Sequence, residues 1–300
     1  MKVLSPTRLV AEAADVLEPI HDLVVVVGAA ALEVALAEDT SVAITPTRDD
    51  DGVIPIEQAS RIVALLEAAE LTRSEVPHER AFTWVRGDLK IQLVRSFHPF
   101  PRPPASALPA NPVFGMAGQP THQVLVAFAE DPSRPRLRCA NAACTLALKQ
   151  AAFGRTRPPD HTPVERDYHD AYLLISAAAD AVVAELASAE HEVRQRSLNA
   201  ISQLATRDAA TLPAARQMVK LGTAPSQRAA EAAVRRAAVQ IQRRLDTGRD
   251  VGGEASSRRR RLAPARTRPS AARRLDDATR RSMWVMRFFT PPLSRRLIGS

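Results

Sequence analysis

The run Val24-Val25-Val26-Val27-Gly28-Ala29-Ala30, followed by Thr45-Pro46-Thr47-Arg48-Asp49-Asp50-Asp51, constrains this chain more than any other feature. The first stretch reads as a buried strand entering a glycine turn and a small-residue helix; the second reads as a short strand carrying carboxylates. Side chains at i and i+2 of a strand share a face, so Asp49 and Asp51 converge on one point. Two converging carboxylates are stable there only with a cation. A glycine turn at a nearby helix N-terminus offers backbone N–H groups and a favourable dipole to phosphate. Together the two stretches describe a place to hold a metal-bound triphosphate, although each alone also fits a plain tight turn.

Around this pair the periodicity predicts helices over 7–18, 29–37 and 56–70, strands over 23–27, 42–54 and 123–128, and a hairpin over 82–94 turning near Gly87-Asp88. Seven prolines and two glycines between 98 and 121 predict a long surface loop. From Cys139 onward the pattern is helical, over 139–153, 164–187, 190–206 and 225–246, with a linker near Gly222. The expected organisation is an α/β domain over 1–130 with a mixed sheet and flanking helices, a helical domain over 131–246, and a disordered arginine-rich tail over 247–300.

Charge sharpens that division. The tail holds fourteen arginines against four acids, a charge of +10, so the whole-chain +8 leaves residues 1–246 at −2. A charge-based case for nucleic-acid binding is therefore a case about the tail, where Arg258-Arg259-Arg260-Arg261 also fits a solvated segment. The apolar island Trp284-Val285-Met286-Arg287-Phe288-Phe289 stands near its end. Cys139 and Cys144 are too few for a disulfide framework and lack zinc spacing, so they read as small buried side chains. No signal peptide is apparent in 1–22, and Leu23–Ala37 is too short for a membrane span and broken by Glu33. A cytoplasmic protein without membrane contact is expected. Trp84 reads as core, and His98, His161 and His169 as surface residues.

Two further pieces fit the same site. Lys149 lies in Leu146-Ala147-Leu148-Lys149-Gln150-Ala151-Ala152-Phe153-Gly154-Arg155, and Arg166-Asp167-Tyr168-His169-Asp170 opens the next helical stretch. A lysine on one helix and an aspartate at the head of the next can both reach their junction, and a carboxylate is favoured in a first helical turn. Lys149 could equally run its stem along apolar surface to solvent.

In these residues the chain resembles the DNA polymerase β-like nucleotidyltransferase superfamily, and more narrowly the AbiEii-type, MenT-like group found as toxins of toxin–antitoxin systems. The matching elements are Val27-Gly28-Ala29, Thr45-x-Thr47-x-Asp49-x-Asp51, Lys149-x-x-Ala152-x-x-Arg155 and Arg166-Asp167-x-x-Asp170, within residues 20–175. The resemblance implies a nucleotidyltransferase-type fold and Mg²⁺- or Mn²⁺-dependent transfer of a nucleoside monophosphate from an NTP. The acceptor it implies is a tRNA, or secondly a protein hydroxyl, with an antitoxin protein as a further partner. Asp49 and Asp51 would be the metal ligands and catalytic carboxylates. Gly28, Thr47 and Lys149 would contact the NTP, and Asp167 would orient or deprotonate the acceptor or position Lys149.

Two departures stand beside the resemblance. Gly28-Ala29 replaces the usual Gly-Gly or Gly-Ser, and Gln92 falls where many members carry a third carboxylate, with Asp88 too near the turn to substitute. A catalytically degenerate binding module, or a nucleic-acid-binding protein acting through its tail, are the alternative readings.

Overall fold

The computed structural model describes residues 2–4, 8–37, 49–55, 58–76, 83–86, 89–96, 112–129, 131, 133–154, 156–157 and 162–260. In its first half the elements are β1 (Lys2–Leu4), α1 (Arg8–Leu17), β2 (Val25–Val27), α2 (Gly28–Leu36), β3 (Asp49–Pro55), α3 (Ala59–Ala68), β4 (Thr72–Arg73), β5 (Thr83–Arg86), β6 (Leu89–Ser96), α4 (Gly115–Gly118) and β7 (Gln123–Phe128). Then follow β8 (Leu137–Ala140), α5 (Ala142–Ala152), β9 (Thr156–Arg157), β10 (Thr162–Pro163), α6 (Glu165–Ser176), α7 (Ala179–Ser188), α8 (His191–Thr206), α9 (Asp208–Lys220) and α10 (Gln227–Arg260).

Eight strands form one mixed sheet in the order β1-β7-β8-β2-β3-β6-β5-β4, and β9 and β10 form a separate hairpin. The valine strand β2 is buried along its length, as a continuous apolar run demands. It runs parallel to β8 on one side and antiparallel to β3 on the other. β3 in turn runs parallel to β6, from Asp49 opposite Lys90 to Pro55 opposite Ser96. The helices that follow β8 pack against one another and against α2, whose Ala- and Leu-rich surface is buried almost throughout. This is the mixed α/β sheet with flanking helices and a helical continuation that the sequence implies.

Where β2 meets β3, Gly52 pairs with Val26. A Cβ there would lie 2.7 Å from Val24 Cγ2 and 2.8 Å from Leu93 Cδ2, both on fully buried side chains. Gly52→Ala is therefore expected to lower stability by about 1–3 kcal/mol, the usual cost of overpacking a filled core. Pairing it with Val24→Ala should return part of the loss, read as the shift in midpoint of denaturant unfolding.

Several boundaries differ from the sequence reading. Cys139 and Ala140 belong to a strand rather than a helix: Leu137, Arg138 and Cys139 alternate buried, exposed, buried, and the helix starts only after Asn141, whose side chain accepts from the Cys144 N–H at 2.9 Å. The expected helix 164–187 is two helices, α6 and α7, bent by 87°. The Ser176 hydroxyl donates back to the carbonyls of Tyr172 and Leu173 where α6 ends, a local competitor to helix propagation. Helix α9 was missed because Pro213 sits inside it and breaks the apparent periodicity.

Residues 112–122, expected in a surface loop, form short helical turns that bury Met116, Ala117 and His122. Helix α10 continues to Arg260 instead of stopping at 246, and the chain divides into a unit Met1–Glu254 and another from Ala255. Residues 261–300, with most of the arginine-rich tail, lie outside the described residues. Among the described residues no single helix is long and apolar enough to cross a membrane. Trp84 is fully buried as expected, and both cysteines are buried free thiols, with burial pushing the Cys139 thiol up to about 12 and Cys144 upward as well.

Candidate functional site

The strand–glycine–helix unit places one carboxylate tightly. Val27 is the Cα partner of Asp51 across the β2–β3 ladder, and Gly28 then opens α2 with φ 70°. That left-handed conformation is strained for any residue with a Cβ. A Cβ on Gly28 would collide with Asp51 Oδ2 and lie 3.1 Å from both Asp51 Cβ and Cγ. The half-buried Asp51 carboxylate thus rests against the first residue of a helix, where the dipole favours negative charge. Gly28→Ala is expected to cost about 1–2 kcal/mol of stability from the backbone strain. Displacing Asp51 should also cut any reaction that depends on it about 10²-fold, the scale of an ångström's misplacement. Thermal unfolding and turnover of the same variant check the two effects.

Asp49 occupies the register position two residues before Asp51, on the same face of β3. Across the β3–β6 ladder, Lys90 is the partner of Asp49 and Gln92 the partner of Asp51. One strand further, Thr83 is the partner of Gln92. The position aligned from sequence with a third carboxylate therefore does stand beside Asp51, and an amide occupies it. Thr47, Arg155 and Asp88 lie outside the described residues. Among the described residues no group of three or more His, Cys, Asp and Glu side chains is placed to hold a metal ion.

Lys149 belongs to a second cluster. It does not reach solvent: it is 7% exposed, and its Nζ donates to Asp170 Oδ2 at 2.6 Å with Asp167 Oδ1 at 3.6 Å. Asp167 and Asp170 are each 2% exposed. Spaced i and i+3 on α6, they present two carboxylates to one lysine. That spacing was visible in the sequence, but Asp170 was not among the expected site residues; it makes the shorter bond.

The junction is held from several sides. Phe153 stacks on Tyr168 at 4.2 Å, and the Tyr168 hydroxyl accepts from the Gly154 N–H at 2.7 Å, tying the end of α5 to the start of α6. Glu165 pairs with Arg216 at 3.4 Å and with Lys220, fixing the head of α6 to α9. At the other end of α5, Glu185 of α7 accepts from the Ala143 N–H at 2.9 Å, and the Ser197 hydroxyl donates to the Ala143 carbonyl at 2.9 Å. Helix α2, which begins against Asp51, packs on both α5 and α6.

His169, read from sequence as a surface residue, is buried, because α6 packs on more than one side. Burial pulls its imidazole below 6.5, and the neighbouring Asp170 charge opposes this only in part. The folded protein thus keeps His169 neutral while the unfolded chain protonates near 6.5, so folding stability falls as pH drops below that value. His169→Gln should flatten the slope of unfolding free energy between neutral and mildly acidic pH, measured by denaturant titration at stepped pH.

No protein-family model matches the chain, and no curated protein matches it. Solved structures do. The crystal structure of JHP933 from Helicobacter pylori aligns with 84% of this chain and 100% of its own, at 12% identity and TM-score 0.44. The antibiotic-resistance factor ANT(2'')-Ia aligns over 65% of this chain and 92% of its own, at 15% identity and TM-score 0.38. A crystal structure described as that of a candidate nucleotidyltransferase from H. pylori aligns over 81% and 98%, at 13% identity and TM-score 0.41.

Proposed function

We propose that the chain is a nucleotidyltransferase, transferring a nucleoside monophosphate from an NTP to a macromolecular acceptor in a Mg²⁺- or Mn²⁺-dependent reaction. The observation that carries this reading is the seating of Asp51 against Gly28, with Asp49 at the next same-face position of β3. The donors fit such a cation: oxygen ligands suit Mg²⁺ and Mn²⁺, and a half-buried carboxylate leaves room for the waters Mg²⁺ retains. A divalent ion held by Asp49 and Asp51 would neutralise charge developing on the triphosphate.

The remaining groups bind and orient. The first N–H groups of α2 point phosphate-binding donors past Gly28. By the motif resemblance, Thr47 would add a hydroxyl contact. Lys149, held by Asp170 and Asp167, would have to turn from that pair to meet a phosphate as a point charge. The acceptor hydroxyl oxygen bonds to the α-phosphorus as the bond to the bridging oxygen breaks and pyrophosphate leaves; the hydroxyl proton passes to solvent. The motif resemblance favours a tRNA 3′ end as acceptor, then a protein hydroxyl, and membership of a toxin–antitoxin pair.

Gln92 favours a second reading, a degenerate module that binds NTP without turnover, because an amide accepts no proton and ligates metal weakly. Incubating the protein with each NTP radiolabelled at the α-phosphate, Mg²⁺, total tRNA and cell protein separates the two. Label in an acceptor with the wild type but not with Asp49→Asn supports transfer and names donor and acceptor. NTP binding without label from any donor supports the degenerate module.

A further inference from the structure

We infer that the outer face of α10, marked by Arg228, Arg236 and Arg243, is a docking surface for the phosphate backbone of a nucleic acid. The near-neutral sum over residues 1–246 conceals a strong division of charge. Residues 191–246, which hold α8, α9 and the first part of α10, carry ten arginines and lysines against four acids, a charge of +6, so the total of −2 leaves residues 1–190 at −8. An anionic polymer is drawn to the helical side and repelled by the rest, with no contribution from the tail.

Helix α10 sorts its arginines into two sets. Arg235 donates to the Ala205 carbonyl at 3.1 Å and pairs with Asp208, while Arg244 pairs with Asp180, so these two fasten the helix to α7, α8 and α9. The buried seam of α10 is Ala230, Val234, Ala238 and Ile241, at helical spacing. Arg228, Arg236 and Arg243 stand on the opposite side, all exposed, within about 80° of arc at 3.6 residues per turn. None of the three forms an ion pair among the described residues. They follow one another at about 10–12 Å along the helix axis, and the row ends at Asp246, the first acid in that arc.

A basic row along one helix face is the pattern that phosphate backbones select. Guanidinium suits phosphate because its planar fork donates two parallel bonds. Phosphates recur about every 3.4 Å of rise along one strand, so each arginine of the row meets one. A protein partner would instead need apolar anchors at the centre of the patch. Among the described residues, the one large apolar side chain exposed on this face is Val239. Contacts of this kind read backbone and not bases, so binding should be indifferent to sequence and sensitive to salt. The surface needs neither nucleotide nor metal, and it stands apart from the carboxylates of β3.

The test is binding of the full-length protein to a fluorescein-labelled RNA stem-loop of arbitrary sequence, read by anisotropy between about 50 and 200 mM NaCl without nucleotide or divalent cation. The triple variant Arg228→Gln/Arg236→Gln/Arg243→Gln should bind about tenfold or more weakly at the low end. Its plot of log affinity against log salt should be shallower by about 2–3, just under one for each lost phosphate contact. Its melting temperature should hold, since none of the three side chains bonds to the rest of the fold; should it fail to fold, Arg236→Gln alone should lower the slope by about one. Changing the same three residues to lysine should keep the slope, because the charge remains. Arg258→Gln/Arg259→Gln/Arg260→Gln removes equal charge elsewhere and should cost less affinity. A row variant that loses no more than this control, or a wild type that does not bind the RNA, overturns the inference. So does labelled polyglutamate bound as tightly as the RNA, which would assign the face to an acidic protein. With no NTP present, each of these outcomes leaves the reading of the β3 carboxylates as it stands.

Discussion

Asp51→Asn is expected to lower nucleotide transfer by about 10³-fold, the scale of removing one group preorganised toward charge that develops in the reaction. The substitution keeps the shape of the side chain and removes its charge. Asparagine can still lie against Gly28, where no Cβ obstructs it, so the strand–helix turn should persist. The stability change should be small, because a charge at a helix N-terminus contributes only about 0.3–1 kcal/mol. The pair of measurements matters more than either alone: initial rates of label transfer should collapse while the melting temperature moves by a few degrees. A variant that retains transfer would remove Asp51 from the metal-ligand role. A wild type that binds NTP without transferring it would leave Asp51→Asn changing only nucleotide affinity, as the degenerate module requires.

Much of this site was legible because it depends on short-range rules. Four consecutive valines ending in glycine can hardly be other than a buried strand and a turn, and Asp49 and Asp51 share strand parity whatever the fold. The family resemblance aligned Gln92 with a third-carboxylate position on the hairpin, and the ladder sets it opposite Asp51. What escaped was set by packing at long range. No local pattern marks His169 as buried, since its burial comes from helices on several sides of α6. The Lys149–Asp170 bond spans twenty-one residues across a hairpin, and sequence alone left Lys149 free to reach solvent. The break between α6 and α7 falls in an alanine run without glycine or proline, so composition gave no warning of it. β1 escaped too: three N-terminal residues become a strand only because β7 pairs with them.

Lys149→Met is expected to be the most destabilising single change in the site, by about 3–5 kcal/mol, because it strands two buried carboxylates without their cation. Methionine roughly preserves the stem's volume, so the loss reports charge rather than a cavity. Asp167 and Asp170 are almost wholly excluded from water, and Asp170 Oδ1 has no hydrogen-bond partner even with the lysine present. Removing Lys149 leaves Asp170 with neither solvent nor a counter-charge. The melting temperature should fall by about 10 °C, taking about 2–4 °C per kcal/mol for a unit of this size.

A double-mutant cycle separates this from ordinary core damage. Asp170→Asn in the Lys149→Met background should return a large part of the loss, since the neutral amide no longer needs a cation. In the wild-type background the same Asp170→Asn should instead destabilise, because it weakens the 2.6 Å bond. A cycle whose two single changes merely add would mean that the pair contributes no net coupling. Transfer activity supplies the functional arm. If Asp170 acts by holding Lys149 toward phosphate, Asp170→Asn should raise KM for NTP more than it lowers kcat, whereas loss of both in Lys149→Met would mark the lysine as the group that touches the triphosphate.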